Sequence, residues 1–285
     1  MTHALNYGTG AFAGLRGYWN QDEEQLFLFR PMDHYRRFIN SGRILRSTLE
    51  LEPEELVSIT VNLLQKEGYR EDCYIRPLYY KAEEAIGVRL HDLRDEITIF
   101  SIPFKRYISN DTNSHVTFSS WRRVDDNAVP ARGKITGAYI NSALIKTDAM
   151  FAGFDEALVL NEDGHISEGS AENFFMVRDG VLITPPVSDN ILEGITRRSI
   201  MTLAREELGV EVRERQIDRT EIYICEEAFL TGTAAQLAAI TKVDHRPVGS
   251  GSMGPITARL RELFNDAMRG KLEKYRDWNT PVYPA

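Results

Sequence analysis

The chain has 285 residues, 42% of them hydrophobic and 27% charged, and a formal net charge of −8. That length allows one large domain or two moderate ones with real cores, and the negative balance argues against nucleic acid or anionic membrane as a partner. No apolar run is long enough to span a bilayer, and the first residues carry no signal-peptide pattern. The two cysteines, Cys73 and Cys225, lie far apart in apolar segments. They are expected to be reduced core thiols in a cytoplasmic protein.

In chain order, residues 53–68 read as a helix, with Pro53 in its first turn and Gly68 at its end. Strand-like runs rich in β-branched and aromatic residues follow at 72–80, 96–103 and 115–121. Ser109-Asn110-Asp111-Thr112-Asn113-Ser114, a run of turn-formers, is the best linker. A helix is expected over about 136–151, then strands in hairpin spacing with tight turns at Asp163-Gly164 and Asp179-Gly180. Helices at about 195–208 and 255–270 flank further strands, including 211–217 and 228–230. There is no internal repeat. The pattern predicts two α/β layers joined by a short connector.

Gly249-Ser250-Gly251-Ser252-Met253-Gly254 fits G-x-G-x-x-G before a helix at Pro255. A dinucleotide site would need a strand running into it and a βαβ unit around it. Asp244-His245-Arg246-Pro247 reads instead as a turn, so a loop capping a helix is expected. The six histidines show no metal spacing, and neither cysteine has a C-x-x-C partner.

The segments that carry chemistry lie elsewhere. Lys134 closes Pro130-Ala131-Arg132-Gly133-Lys134, which follows Ser120-Trp121-Arg122-Arg123 and precedes the helical run containing Tyr139. Glu168 lies in Ile166-Ser167-Glu168-Gly169-Ser170-Ala171-Glu172-Asn173. Read singly, the first is a surface lysine and the second a turn residue. In Leu192-Glu193-Gly194-Ile195-Thr196-Arg197 a glycine turn opens a helix, which offers N–H groups and the Thr196 hydroxyl to an anion.

Together these segments resemble fold-type IV pyridoxal-phosphate enzymes, and among them the branched-chain amino acid aminotransferases, from Tyr7 to about Thr257. The resemblance implies a D-amino acid aminotransferase-like α/β fold. It has a small N-terminal α/β domain (1–108), an inter-domain loop (109–120) and a larger C-terminal pseudo-barrel domain (121–285). The cofactor would lie in the cleft, in at least a homodimer.

Such a cofactor needs an amine to hold its aldehyde as a Schiff base and a carboxylate to keep its pyridine nitrogen protonated. The resemblance gives these roles to Lys134 and Glu168, with Glu172 in support and Tyr139 on the phenolic oxygen. Leu192 packs on the ring. Ile195, Thr196, the second turn Gly232-Thr233-Ala234-Ala235 and Arg37, chosen over its neighbour Arg36, hold the phosphate. The substrate pocket draws on Tyr7, Phe12, Gly14, Tyr74, Arg76 and Tyr107, with Thr233 and Ala234 on the α-carboxylate.

The implied reaction passes the amino group of leucine, isoleucine or valine to 2-oxoglutarate. Two departures from the family pattern stand out. Ala13 replaces the usual glutamate. The chain also begins at Met1, six residues before Tyr7, where the family usually carries a short strand, so that a missing edge strand and a start site assigned too late both fit. Ala13 favours the alternative of an (R)-selective amine or D-amino acid transaminase. An aminodeoxychorismate-type lyase, and a binding protein without catalysis, are further alternatives.

Overall fold

The computed structural model describes residues 1–104 and 110–284. Contacts gather the chain into two units, one of Met1–Lys105, Gly133–Ala138 and Asn265–Ala285, the other of Arg106–Arg132 and Tyr139–Phe264. In chain order come α1 (His3–Tyr7), β1 (Gly10–Phe12), β2 (Leu15–Asn20), β3 (Gln25–Phe29), α2 (Pro31–Ile44), α3 (Pro53–Glu67), β4 (Cys73–Lys81) and β5 (Asp95–Pro103). Then follow β6 (Ser114–Arg122), α4 (Tyr139–Phe151), β7 (Glu156–Leu160), β8 (Ile166–Gly169), β9 (Asn173–Arg178), β10 (Val181–Thr184), α5 (Ile195–Glu207) and β11 (Val212–Glu214). The last elements are β12 (Glu227–Gly232), β13 (Gln236–Val243), β14 (Arg246–Pro247), α6 (Pro255–Met268) and β15 (Asn279–Pro281). Among the described residues no helix is long and apolar enough to cross a membrane.

The first unit is built on a six-stranded sheet, β1-β4-β2-β3-β15, with β5 also paired to β4. Strand β4 alternates: Cys73, Ile75, Pro77, Tyr79 and Lys81 are buried, while Tyr74, Arg76, Leu78 and Tyr80 are half-buried on the opposite face. The period of two therefore puts Tyr74 and Arg76 side by side. Helix α3 matches its sequence signals. Pro53 starts it, Glu54 and Glu55 sit in its first turn, and Gly68 ends it in the left-handed region at φ 68°. The residues before the Tyr7 segment form the short helix α1 rather than a strand.

The second unit holds a nine-stranded mixed sheet, β11-β10-β9-β12-β13-β6-β7-β8, with β14 on β13. Asp179 and Gly180 both have positive φ (53° and 72°) and join β9 to β10 in the tight turn expected of that dipeptide. Helix α4 buries Ile145 and Ala149 against Ala157 and Val159 of β7.

Two expectations change. The inter-domain loop expected over 109–120 is strand from Ser114 onward, because the turn-formers end there and β6 pairs with β7 and β13 in mid-sheet. The strand expected over 211–217 keeps only Val212–Glu214, since Asp218 and Glu221 form a capping box that starts a short 3-10 helix. The C-terminal segment Asn265–Ala285 falls in the first unit, where β15 pairs with β3.

One buried ion pair stabilises the first unit. Lys81 Nζ lies 2.8 Å from Asp95 Oδ1, with both side chains 1% exposed. Asp95 also accepts from the Tyr79 hydroxyl at 2.8 Å and the Thr48 N–H at 2.8 Å. Burial alone would raise the Asp95 carboxyl, but Lys81, Thr48 and Tyr79 outweigh it and hold it below its ordinary value. Its contribution is therefore present near neutrality and is lost as pH falls through that lowered value. Asp95→Ala should cost about 3–5 kcal/mol of unfolding free energy, because Lys81 is left buried and unpaired. Adding Lys81→Met should recover most of that loss in denaturant titrations.

Candidate active site

Lys134 belongs to the first unit, in a segment whose main chain is fixed on both sides. Its carbonyl accepts from the Phe12 N–H at 3.0 Å, and Ile135 bridges to Ala11. Its N–H donates to Ser41 Oγ at 3.1 Å, and that hydroxyl donates to the Arg37 carbonyl on α2 at 2.9 Å. The Thr136 hydroxyl donates to Gly8 O at 2.8 Å, adding a third tie. The half-buried Lys134 side chain reaches over Phe12, with Nζ 5.1 Å from the ring centroid. On α2, Arg37, chosen over Arg36 from its motif position, is half-buried, and Arg36 is exposed.

Phe12, Gly14, Tyr74 and Arg76 also come together in this unit. The Arg76 guanidinium stacks on Phe12 at 4.3 Å and on Tyr74 at 5.1 Å, while its Nε donates to the Tyr74 hydroxyl at 2.9 Å. A Cβ on Gly14 would lie 2.5 Å from that hydroxyl, so only glycine leaves Tyr74 its place. Tyr7 ends α1; its hydroxyl accepts from the Gly87 N–H at 3.0 Å and its ring packs on His3. Tyr107 lies outside the described residues. Ala13 is 1% exposed and its N–H donates to Pro77 O at 3.1 Å.

In the second unit Glu168, at the end of β8, is 3% exposed and well supplied with donors. Arg123 Nη2 lies 2.6 Å from Oε1, while Asn173 Nδ2 and the Leu192 N–H reach Oε2 at 2.9 and 3.3 Å. Sheet register brings these together: Arg122 pairs with Leu160 and Val159 with Glu168, so Arg123 at the end of β6 reaches across β7. Three donors, one of them cationic, suit a carboxylate rather than a carboxylic acid. Arg123 and Asn173 were missed as partners. The only signal was that a buried anion must find a cation, and nearby arginines offered several.

The remaining predicted residues lie around the same end of this sheet. Thr231 pairs with Asn173, so the turn Thr233-Ala234-Ala235 between β12 and β13 follows directly beyond that pair. Gly194 caps α5 with extended backbone and no side-chain hydrogen bond, leaving the start of the helix, with buried Ile195 and Thr196, able to receive an anion. Leu192 is half-buried, and Tyr139 opens α4, also half-buried. Glu172 is 4% exposed; its Oε2 accepts from the Ala171 N–H at 3.1 Å. Burial, and after it the buried Glu156 carboxylate, push Glu172 up to about 8. Glu156 itself is paired with Lys146 at 2.8 Å.

The glycine-rich loop before α6 is not an anion site. Glu227 fills it, its carboxylate accepting from the N–H groups of Ile256 at 3.0 Å and Thr257 at 2.7 Å. Among the described residues no group of three or more His, Cys, Asp or Glu is placed to hold a metal ion.

Comparison with known proteins finds relatives over nearly the whole chain. The family described as Amino-transferase class IV matches residues 12–243. A probable branched-chain-amino-acid aminotransferase of Aquifex aeolicus (strain VF5) is 46% identical over 99% of this chain and 91% of its own length. The crystal structure of the branched-chain aminotransferase from Thermoproteus uzoniensis with norvaline superposes with a TM-score of 0.94, at 40% identity, covering 99% of this chain and 93% of that one. The T.th. branched-chain amino acid aminotransferase, complexed with N-(5'-phosphopyridoxyl)-L-glutamate, gives 0.92 at 38% identity, covering 99% and 92%.

Glu172 makes this region sensitive to pH. Between the ordinary carboxylate range and about 8, the folded protein holds a proton there that the unfolded chain releases, so stability falls as pH rises across that window. Glu172→Gln removes the titration. Relative to the parent, this variant should gain at least about 1 kcal/mol, roughly one pKa unit's worth, between about pH 5 and pH 8. Unfolding of both proteins over that range measures the gain, and a flat difference would count against a neutral Glu172.

Proposed function

The chain belongs to the class IV aminotransferases, and on that premise we propose that it is a pyridoxal-phosphate-dependent branched-chain-amino-acid aminotransferase. It passes the amino group of leucine, isoleucine or valine to 2-oxoglutarate. The observation that carries the substrate reading is the stack of Arg76 on Phe12 beside the Tyr74 hydroxyl. Such a wall presents an aromatic face to an aliphatic side chain and a guanidinium to a carboxylate, the two things alternating substrates require. The likeness to the norvaline and phosphopyridoxyl-glutamate complexes supports the same pairing.

The donor-rich Glu168 and the uncapped start of α5 fit the cofactor at its two ends. When bound, pyridoxal phosphate supplies an aldehyde for amines and a ring that draws electrons from the α-carbon. Lys134 Nζ would hold the aldehyde end of the cofactor and, as a free amine, would carry the proton taken from the substrate's α-carbon. Glu168 would face the ring nitrogen and hold a proton there, with Glu172 in support. The Tyr139 hydroxyl would donate to the phenolic oxygen, and Leu192 would pack on the ring. Arg37, the Ile195 and Thr196 N–H groups, and the Thr196 and Thr233 hydroxyls, with Gly232 shaping the second turn, hold the phosphate. Tyr74, Thr233 and Ala234 orient the α-carboxylate; Tyr7, Phe12, Gly14 and Tyr107 shape the side-chain pocket.

We also place the protein in the cytoplasm, as at least a homodimer. Both cysteines are free and buried, with burial pushing each thiol up to about 12. Ile140, Leu144 and Phe151 form one exposed apolar row on α4, of the kind a second copy covers.

A donor panel with 2-oxoglutarate as acceptor tests the function. Leucine, isoleucine and valine should turn over well, and Lys134→Ala should lose at least about a thousandfold of every activity. Glu168→Gln should keep the cofactor and slow about a hundredfold. Preference for D-alanine or (R)-1-phenylethylamine would favour the second reading, which the small buried Ala13 supports.

A further inference from the structure

Asn173 enters the function proposed above only as one of the donors to Glu168, yet its amide sits at a junction. The side chain is 5% exposed, and its main chain is fixed by the pairing with Thr231. Nδ2 donates to Glu168 Oε2 at 2.9 Å and to the Leu192 carbonyl at 2.9 Å. Both partners can only accept, so the amide has one orientation, with Nδ2 facing them. Oδ1 then points at Gly194, where a Cβ would overlap it. Gly194 has φ −67° and ψ 133°, a conformation open to any residue. Glycine is therefore required there by space and not by backbone.

We propose that Asn173 is a positioning residue that locks the Glu168 carboxylate to the Leu192–Gly194 turn, and that Gly194 is glycine to leave room for its amide. The proposal rests on the reading of Glu168 and of the start of α5 given above. One amide then sets the register of both ends of the cofactor site. Moving it disturbs the ring nitrogen and the phosphate together, whereas a residue serving one end alone would disturb only that end. A methyl group on Gly194 acts by the same route, since it displaces the amide from Glu168.

The test is a double-mutant cycle of Asn173→Ala, Gly194→Ala and the pair, read by cofactor dissociation constant, by pH titration of the bound cofactor's absorbance and by thermal unfolding of the cofactor-free protein. Each single change should weaken cofactor binding about tenfold, as expected for one hydrogen bond to a charged group. Each should shift the titration in the same direction. The pair should be no worse than Asn173→Ala alone, because the new methyl occupies the vacated space. Additive losses of about a hundredfold, or a Gly194→Ala protein unchanged in both readouts, would overturn the proposal. Should Gly194→Ala fail to fold, the pair should fold, and a pair that also fails refutes it. Glu168→Gln in the same titration separates the two readings. If it leaves the absorbance profile unchanged, Glu168 is not the ring-nitrogen partner, and non-additive unfolding of the cofactor-free variants still decides the role of Asn173.

Discussion

A carboxylate carried into a protein interior loses several kcal/mol of hydration and must recover it from donors of good geometry. Glu168 imposes that constraint on the second unit. Its donors come from the residue after β6, the first residue of β9 and the turn before α5. No local segment could supply all three, so the site exists only once the register of β6, β7, β8, β9 and β12 is set. The sheet order is thus what makes a charged group affordable at this place.

Lys134 is treated the opposite way. Its N–H and carbonyl are both bonded, and its neighbours Ile135 and Thr136 are tied to β1 and to the turn before it, while its side chain stays half-buried over an aromatic ring. This difference suits the proposed chemistry. An amine that must bond, leave and carry a proton needs a fixed root and a movable tip. A carboxylate that must keep one proton in place needs its oxygens held. The neighbouring Glu172 is pushed up to about 8, first by its burial and then by the Glu156 carboxylate, which is paired with Lys146.

Much of this was legible in the chain because it depends on local chemistry. Pro53 and Gly68 mark α3, Asp179-Gly180 marks a hairpin, and the Lys134, Glu168 and Leu192 segments carry enough motif to identify a family. Partner identity was not legible. Arg123 rather than Arg122 pairs with Glu168 because of a parallel register with β7, and Asn173 acts through a strand pairing with Thr231. The glycine-rich loop shows the converse. Its motif is local, but Glu227 from β12 occupies the helix start, and no sequence pattern announces that.

The central claim is that Glu168, with its donors, keeps the ring nitrogen of the cofactor protonated. Nitrogen-15 NMR of the protein loaded with ring-labelled cofactor reads that proton directly. The account predicts a protonated nitrogen that does not titrate between about pH 6 and pH 9, a range well above the ordinary carboxylate pKa. A nitrogen that is unprotonated at neutrality, or that titrates as the free cofactor does, would contradict it.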